Sequence, residues 1–267
     1  MTTPQGSRSA ANVLRIGVAV VVLAIVAAGA FGLWYIFLRP SGPAAVGDAA
    51  LVVPSRAAAT SSAGASSAAT SSSASSSSDP LSGGIDGTWN VDTSIGSFSD
   101  FSDSFVGYRV QEQLANIGGN TAVGRTPAVS GSLTIAGTKV TATTIQADLT
   151  GLQSDDNRRD GQLSHQGLET STFPTATFTL TSPIDLGSVP ADGTEITVTA
   201  TGTLTLHGQT KDVKIPLKAK LSGNTIVVTG SLEIAFADYG ITKPNSFAVL
   251  SIADTGTLEL QLFFTKA

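Results

Sequence analysis

The chain has 267 residues, of which 13% are charged and none is cysteine, and its formal net charge is -5. Without cysteine, the protein can form no disulfide and no thiolate metal site, and it has no cysteine nucleophile. The acidic balance argues against nucleic acid as a partner, because phosphate binding requires a clustered basic surface.

The first predicted element is a transmembrane helix over residues 16–38, which follows a short cytoplasmic N-terminus, residues 1–15. The segment carries no charge. At 1.5 Å per residue it would span about 34 Å as a helix, which exceeds the ~30 Å hydrocarbon core of a bilayer. Arg8 and Arg15 precede it and favour a cytoplasmic N-terminus. The membrane is thus an expected partner, and the C-terminal domain is expected outside the cytoplasm, in the periplasm or at the cell surface.

A cleaved signal peptide is the competing interpretation of the same segment. The tripeptide Ala-Gly-Ala at residues 28–30 resembles a cleavage site. Apolar sequence continues past this tripeptide to residue 38, which favours an uncleaved signal anchor in a single-pass membrane protein.

Residues 39–86 are predicted to be a linker. Its central part, residues 57–78, contains only Ala, Ser, Thr and Gly, a composition that cannot bury a hydrophobic core. As a flexible coil the linker would have a root-mean-square reach of roughly 35–40 Å. A passive tether is one interpretation of this segment, and an O-glycosylated stalk is the other.

From residue 87 to residue 267, the alternation of apolar and polar residues predicts one all-β domain. Strands are predicted at residues 89–91, 106–110, 132–135, 139–149, 178–181, 224–236 and 257–264. Residues 116–127 are rich in glycine and are predicted to form a long loop. Asp155 and Asp156 are typical of the first turn of a short helix, which is predicted over residues 157–166.

The most regular pattern lies in residues 194–211. Apolar residues alternate with threonines from Ile196 to Leu206, as in a strand with one apolar face and one wetted face. After a turn at His207 the alternation resumes over residues 211–220, so the two strands are predicted to form a hairpin. Strands of this length, among about eight strands with one apolar face each, predict an antiparallel barrel or a closed sandwich.

Few residues are suited to catalysis, since the chain has only two histidines, His165 and His207. The sequence contains no metalloprotease, P-loop or serine-hydrolase motif, and neither a metal nor a cofactor is predicted. His207 at the hairpin tip is expected to be exposed or bonded to the backbone. The cluster at residues 158–160 is either a solvated, locally paired group or a polar rim around a cavity mouth.

Three blocks of sequence, in this order and spacing, resemble the YceI-like family of extracytoplasmic, lipocalin-like barrels that bind polyisoprenoid lipids. The blocks are RDGQLSHQGLETSTFPTATF at residues 159–178, GTLTLHGQTK at residues 202–211 and DYGI at residues 238–241. Two positions depart from the family pattern. Phe236 stands where the family usually has arginine, and Glu112 stands where the strand pattern Phe-x-Val-x-His ends in histidine.

The resemblance implies an eight-stranded, lipocalin-like barrel that holds a polyisoprenoid or isoprenoid-quinone-like chain for storage or transport and performs no chemistry on it. The barrel is expected to be monomeric, because every long strand with an apolar face lies within residues 87–267. An eight-stranded barrel has an interior wide enough for one slender ligand. Two alternatives stay open. One is a sealed barrel that serves as a structural or interaction module displayed at the cell surface. The other is a hydrolase that uses one of the two histidines.

The inward faces of the long strands are predicted to form the wall of the lipid channel. The predicted wall residues are Ile196, Val198, Leu204, Leu206, Ile215, Leu217, Val228, Leu232 and Ile234. The predicted mouth residues are Phe173, Phe178 and Tyr239, with Arg159, Asp160 and His207 as candidate polar partners. Ala200, Gly202 and Ala219 on the inward faces are expected to leave room for the ligand.

Overall fold

The computed structural model describes Val26 and residues 43–47, 51–54, 84–115, 118–245 and 249–267. The chain divides into two units, Met1–Ser41 and Gly42–Ala267. In the described part of the chain, no helix has the length and the apolar character needed to span a membrane. The predicted transmembrane segment, residues 16–38, lies outside the described residues except for Val26.

The described residues of the unit Gly42–Ala267 form one antiparallel sheet of thirteen strands. In chain order they are β1 (Gly87–Val91), β2 (Phe105–Leu114), β3 (Gly118–Thr126), β4 (Val129–Ala136), β5 (Lys139–Asp148), β6 (Gln153–Ser154), β7 (Thr175–Leu180), β8 (Ile184–Asp185), β9 (Glu195–Leu206), β10 (Gln209–Ser222), β11 (Thr225–Ala235), β12 (Val249–Ile252) and β13 (Thr255–Lys266). Eight of them close into a barrel in the order β1-β4-β5-β7-β9-β10-β11-β13, and β13 returns to β1 where Val91 pairs with Phe264. The eight-stranded antiparallel barrel is confirmed.

The β9–β10 hairpin follows the predicted alternation along its whole length. Its pairing begins with Leu206 opposite Gln209 and continues to Glu195 opposite Lys220. His207 (φ 51°) and Gly208 (φ 71°) join the strands in the left-handed conformation. Two consecutive residues of positive φ are typical of a type I′ turn, whose twist matches that of long, coiled strands. The predicted hairpin is confirmed.

The predicted loop at residues 116–127 is wrong, because Gly118–Thr126 form β3. Glycine and asparagine weaken the intrinsic preference for a strand. The neighbouring strand β2 overrides that weakness, since it pairs with β3 along the whole of β3. The Tyr108 ring lies over Gly124, where an added Cβ would be 2.4 Å from ring carbon Cε1. The side chain of one strand thus covers the glycine of the other.

The short helix α1 (Asn157–Gln162) begins at Asp156, whose carboxylate accepts a hydrogen bond of 2.9 Å from the backbone N–H two residues further on. The chain continues into one π-helical turn, Leu163–Gly167. Leu168 then packs with Leu206 inside the barrel, so this segment covers one end of it. We call this the helical end, and the opposite end, at the β10–β11 turn, the open end.

Residues 43–47 and 51–54, together called the strap, lie against the outer wall of the barrel. The carbonyl oxygens of Pro43 and Ala44 accept hydrogen bonds from the guanidinium groups of Arg109 and Arg125. Leu51 is 1% exposed. It packs in one hydrophobic cluster with Ile95, Val227 and Phe263. Part of the segment that was predicted to be a linker therefore contacts the barrel.

A buried charge cluster lies beneath the strap. Glu259 is paired with both Arg109 and Arg125, and the Arg125 pair measures 3.4 Å between Nη2 and Oε2. The rings of Phe101 and Phe105 lie 4.7 and 4.2 Å from the Arg125 guanidinium carbon. These charges stand on the outward faces of their strands, where the alternation predicts solvent, and the overlying segments bury them instead.

Candidate functional site

The inward faces of the barrel strands enclose one long apolar cavity of about 190 Å³. On β9 the lining runs from Ile196 to Leu204. At ~3.3 Å per residue and a strand tilt of 35–45°, this stretch covers roughly 20 Å along the barrel axis. Almost every lining side chain is aliphatic or aromatic, so the cavity offers an apolar surface with few hydrogen-bonding groups.

Eight predicted site residues line this cavity. They are Phe178 on β7, Ile196, Val198 and Leu204 on β9, Ile215 and Leu217 on β10, and Val228 and Leu232 on β11. Their common feature is the apolar alternation of the sequence, which placed them on one face of each strand. Phe178 was predicted at the mouth and instead belongs to the wall.

The lining also includes residues outside the predicted wall. They are Ile85, Val106, Leu133, Ile135, Val140, Ile145, Leu258, Leu260, Leu262 and Phe264, among others. Those on β4 and β13 follow the same alternation as the predicted wall. On β5, Val140 and Ile145 have opposite parity, and a register shift between Thr134 and Ile135 of the paired strand accompanies this change. The signal was therefore present on β13, where apolar residues alternate from Leu258 to Phe264, and it was interrupted on β5.

Two of the three small inward residues leave space, and the third does not. Ala200 and Ala219 line the cavity. Gly202 does not, because the Phe178 ring fills the volume above it. A Cβ on Gly202 would stand 2.6 Å from ring carbon Cζ and 2.3 Å from the Thr179 carbonyl oxygen. The expectation that Gly202 leaves room for a ligand is wrong.

The cavity opens at the end opposite α1. Along β9 the inward side chains Ile196 and Val198 are partly exposed, whereas those from Ala200 to Leu206 are buried. Near the exposed end, the cavity lining includes Ile184, Leu186, Pro190, Thr194 and Lys220. The lining at this end is thus reached from solvent beside the β10–β11 turn, which is the open end defined above.

The helical end is filled by packed side chains. Leu206, Ile234 and Tyr239, which were predicted for the wall and mouth, pack there with Leu168 in one buried cluster. The cavity lining found in the described residues includes none of these three predicted residues. They separate the cavity from the short helix, so the mouth does not lie where the sequence motifs suggested.

His207 is buried at the helical end and is tied to two other segments. Its Nδ1 atom lies 2.9 Å from the Tyr239 carbonyl oxygen, to which it must donate, because a carbonyl only accepts. Its Nε2 atom lies 3.1 Å from the Glu169 carboxylate. The Phe173 ring stands over the imidazole at a centroid distance of 4.5 Å. The expectation of a backbone bond is confirmed, and the imidazole is engaged on both nitrogens.

Arg159 and Asp160 hold α1 against the barrel. Arg159 donates to Glu112 on β2 at 2.9 Å and also pairs with Asp155. Asp160 accepts from the Ser154 backbone N–H at 3.1 Å and from its hydroxyl at 2.5 Å. Neither residue lines the cavity. Glu112, which departs from the family histidine, therefore has a partner in this chain.

The barrel domain matches a protein family and resembles solved structures. The family model of the YceI-like domain matches residues 89–264. A polyisoprenoid-binding domain from Saccharophagus degradans, implicated in plant cell wall breakdown, is 23% identical with a TM-score of 0.52, over 68% of this chain and 99% of that domain. BcnA from Burkholderia cenocepacia is 21% identical with a TM-score of 0.47, over 60% of this chain and 95% of its own. A comparison with curated proteins gives no match.

Proposed function

Because the chain belongs to the YceI-like family, we propose that its barrel holds a long apolar lipid, a polyisoprenoid or isoprenoid-quinone-like chain, for storage or transport. The observation that carries the proposal is the apolar cavity, which extends along the barrel and opens at one end. The Saccharophagus degradans domain, whose fold is similar, is a polyisoprenoid-binding domain, and this supports the ligand class.

The physics of such a ligand fits an elongated channel with few polar groups. Burying apolar chain gains ~0.8 kcal/mol per CH₂ relative to water. The same chain is already surrounded by apolar groups in a membrane, so exchange between bilayer and barrel is close to balanced. Shape therefore selects the ligand, and the small side chains of Ala200 and Ala219 keep the channel wide enough for a slender chain.

The polar end of the ligand is proposed to stay at the open end. Thr194 and Lys220 contribute to the lining there. A lysine can lay its aliphatic stem along apolar surface while its ammonium group stays in water. The polar residues at the helical end, Arg159, Asp160 and His207, are bonded to protein groups. We propose no catalytic step for any of them.

Residues 16–38 are proposed to anchor the chain in the membrane, with the barrel outside the cytoplasm. The proposal is supported by the uncharged length of this segment and by the two arginines that precede it. An anchored barrel would remain close to the bilayer that supplies its ligand. Protease protection in spheroplasts tests the orientation, since only an external barrel is accessible to added protease.

The experiment that tests lipid binding is organic extraction of the purified protein followed by mass spectrometry. We expect an isoprenoid lipid from the wild type and much less from Ala200→Phe, whose ring would occupy the channel. Thr199→Phe is the matched control, since Thr199 is exposed on the outer face of the same strand. In a sealed barrel no lipid would be recovered from any variant, and Ala200→Phe would overpack the core at a cost of about 1–3 kcal/mol.

A further inference from the structure

A loop at the open end, residues 186–194, is held across the rim and is called the rim loop. Its start is fixed by the Leu186 N–H, which donates to the Thr138 carbonyl at 2.9 Å. Its other end is fixed by the Gly193 N–H, which donates to the Leu221 carbonyl at 2.8 Å. In addition, Asp192 accepts from the Gly223 N–H at 2.7 Å. The loop is thus attached near the β4–β5 turn and the β10–β11 turn, and residues 188–191 form its tip.

The rim loop extends the apolar surface of the cavity outward. Leu186 and Pro190 belong to the cavity lining, and Val189 between them is 52% exposed. Three other large apolar side chains are exposed among the described residues, namely Val26, Val52 and Leu250. Val189 is the one that adjoins residues of the cavity lining.

Charges of both signs surround this opening, where Lys220 and Asp192 accompany two ion pairs. Lys139 lies 3.7 Å from Asp185, and Lys218 lies 3.6 Å from Glu195. Because positive and negative charges stand together, the rim has no strong electrostatic potential of one sign. A highly charged partner would therefore gain little binding free energy there. An apolar tip with balanced charges around it is suited to the boundary between lipid headgroups and acyl chains.

We infer that the rim loop docks the open end of the barrel onto a lipid bilayer, with Val189 inserted at the headgroup–acyl boundary. The inference rests on the proposed function, because a lipid that enters this cavity from a bilayer avoids water only if the opening meets the membrane. The lining residues Leu186 and Pro190 adjoin the exposed tip of the rim loop. They therefore provide a continuous apolar surface from the tip into the cavity.

The absence of cysteine allows a direct test with single-cysteine variants of the full chain. Val189→Cys and the control Leu250→Cys are each labelled with the fluorophore NBD and reconstituted into phosphatidylcholine vesicles that contain nitroxide-labelled lipid. Docking predicts blue-shifted, strongly quenched emission from position 189 and little quenching from position 250. Equal quenching at the two positions would overturn the inference.

A second measurement connects docking with lipid uptake. The full chain is reconstituted into vesicles that contain a pyrene-labelled polyprenol. Uptake of this polyprenol by the barrel is followed by the loss of pyrene excimer emission, because excimers form only between neighbouring probes in the bilayer. Val189→Asp is expected to slow uptake roughly tenfold, since a charge replaces the inserted side chain. Leu250→Asp, the control, is expected to take up the probe at the wild-type rate.

The outcomes separate docking from lipid binding. If Val189→Asp takes up the probe as fast as the wild type, docking by the rim loop is wrong although the barrel still binds lipid. If the wild type takes up no probe and carries no extracted lipid, the proposed function fails. The quenching at position 189 then still decides whether the loop enters the bilayer.

Discussion

Phe178 lies over Gly202 on the inner face of the barrel, at a position where any side chain on Gly202 would meet its ring and the Thr179 carbonyl oxygen. Gly202→Ala is therefore expected to destabilise the fold by about 1–3 kcal/mol through overpacking, rather than to block a channel. Urea unfolding measures this cost. Phe178→Ala in the same chain should not restore full stability, because the contact with the carbonyl oxygen remains. A neutral Gly202→Ala would show that this packing is loose.

Asp103 gives the barrel a dependence on pH that opposes the usual behaviour of a paired carboxylate. Burial raises the pKa of its carboxyl from 3.8 to about 6. Between these values the folded protein binds a proton that the unfolded chain has released, so its stability falls as pH rises from about 4 to about 6. Asp103→Asn should remove this fall and be more stable than the wild type at pH 7.5, by about 1–3 kcal/mol.

The free energy of unfolding, measured at several pH values, checks the Asp103 prediction. Asp148→Asn is the comparison variant, because the pKa of the Asp148 carboxyl is shifted in the opposite direction. Hydrogen bonds from Thr150 lower the pKa of the Asp148 carboxyl, so its contribution is lost as pH falls. Asp148→Asn should therefore leave the decrease between pH 4 and pH 6 unchanged. A difference between Asp103→Asn and the wild type that is the same at every pH would contradict the assignment to Asp103.

Glu259 is expected to hold the strap through its two arginines. Glu259→Gln leaves the buried guanidinium group of Arg125 and the partly exposed one of Arg109 without their anionic partner. Loss of the partner of a fully buried charge costs about 3–5 kcal/mol, and the exposure of Arg109 places this variant at the lower end. Limited proteolysis should show faster cleavage in residues 43–54 of this variant. The control is Glu233→Gln, an exposed position on β11. If both variants resist protease equally, the charge cluster does not retain the strap.

His207 is expected to matter for stability and not for lipid content. His207→Ala removes the bonds to Tyr239 and Glu169 and the contact with Phe173, at a cost of about 1–3 kcal/mol. The lipid recovered by extraction should stay at the wild-type level, because His207 does not line the cavity. His165→Ala, at an exposed position, is the control for stability. A loss of lipid from a stably folded His207→Ala would place the ligand at the helical end.

The sequence is a good guide where alternation is long and regular. The inward residues of β9, β10 and β11 could be named because one apolar parity runs through each strand, as from Ile196 to Leu206. β3 could not be found in this way, because its glycines depend on side chains of β2 such as Tyr108. Local preference carries no information about a partner strand that lies elsewhere in the chain.

Sequence patterns could not predict which end of the barrel is open, for a different reason. The recognisable polar residues, Arg159 and His207 among them, suggested a mouth beside the short helix. In the structure these residues bond to the protein, and packed side chains such as Tyr239 fill that end. The way in which loops fold back over a barrel determines which of its ends is filled. The alternation of residues along the strands carries no information about these loops.

The strap changes what cleavage of the chain would achieve. Residues 55–83 connect the strap to the first barrel strand, and a Ser- and Ala-rich stretch in this interval is a natural target for proteases. A cut there would break the covalent connection between the strap and the barrel. The strap would still be bound to the barrel by the hydrogen bonds of Pro43 and Ala44 and by the packing of Leu51. Separation of the barrel from the N-terminal residues would then require two events, a cut and the release of the strap, so a nicked protein can keep the two parts together.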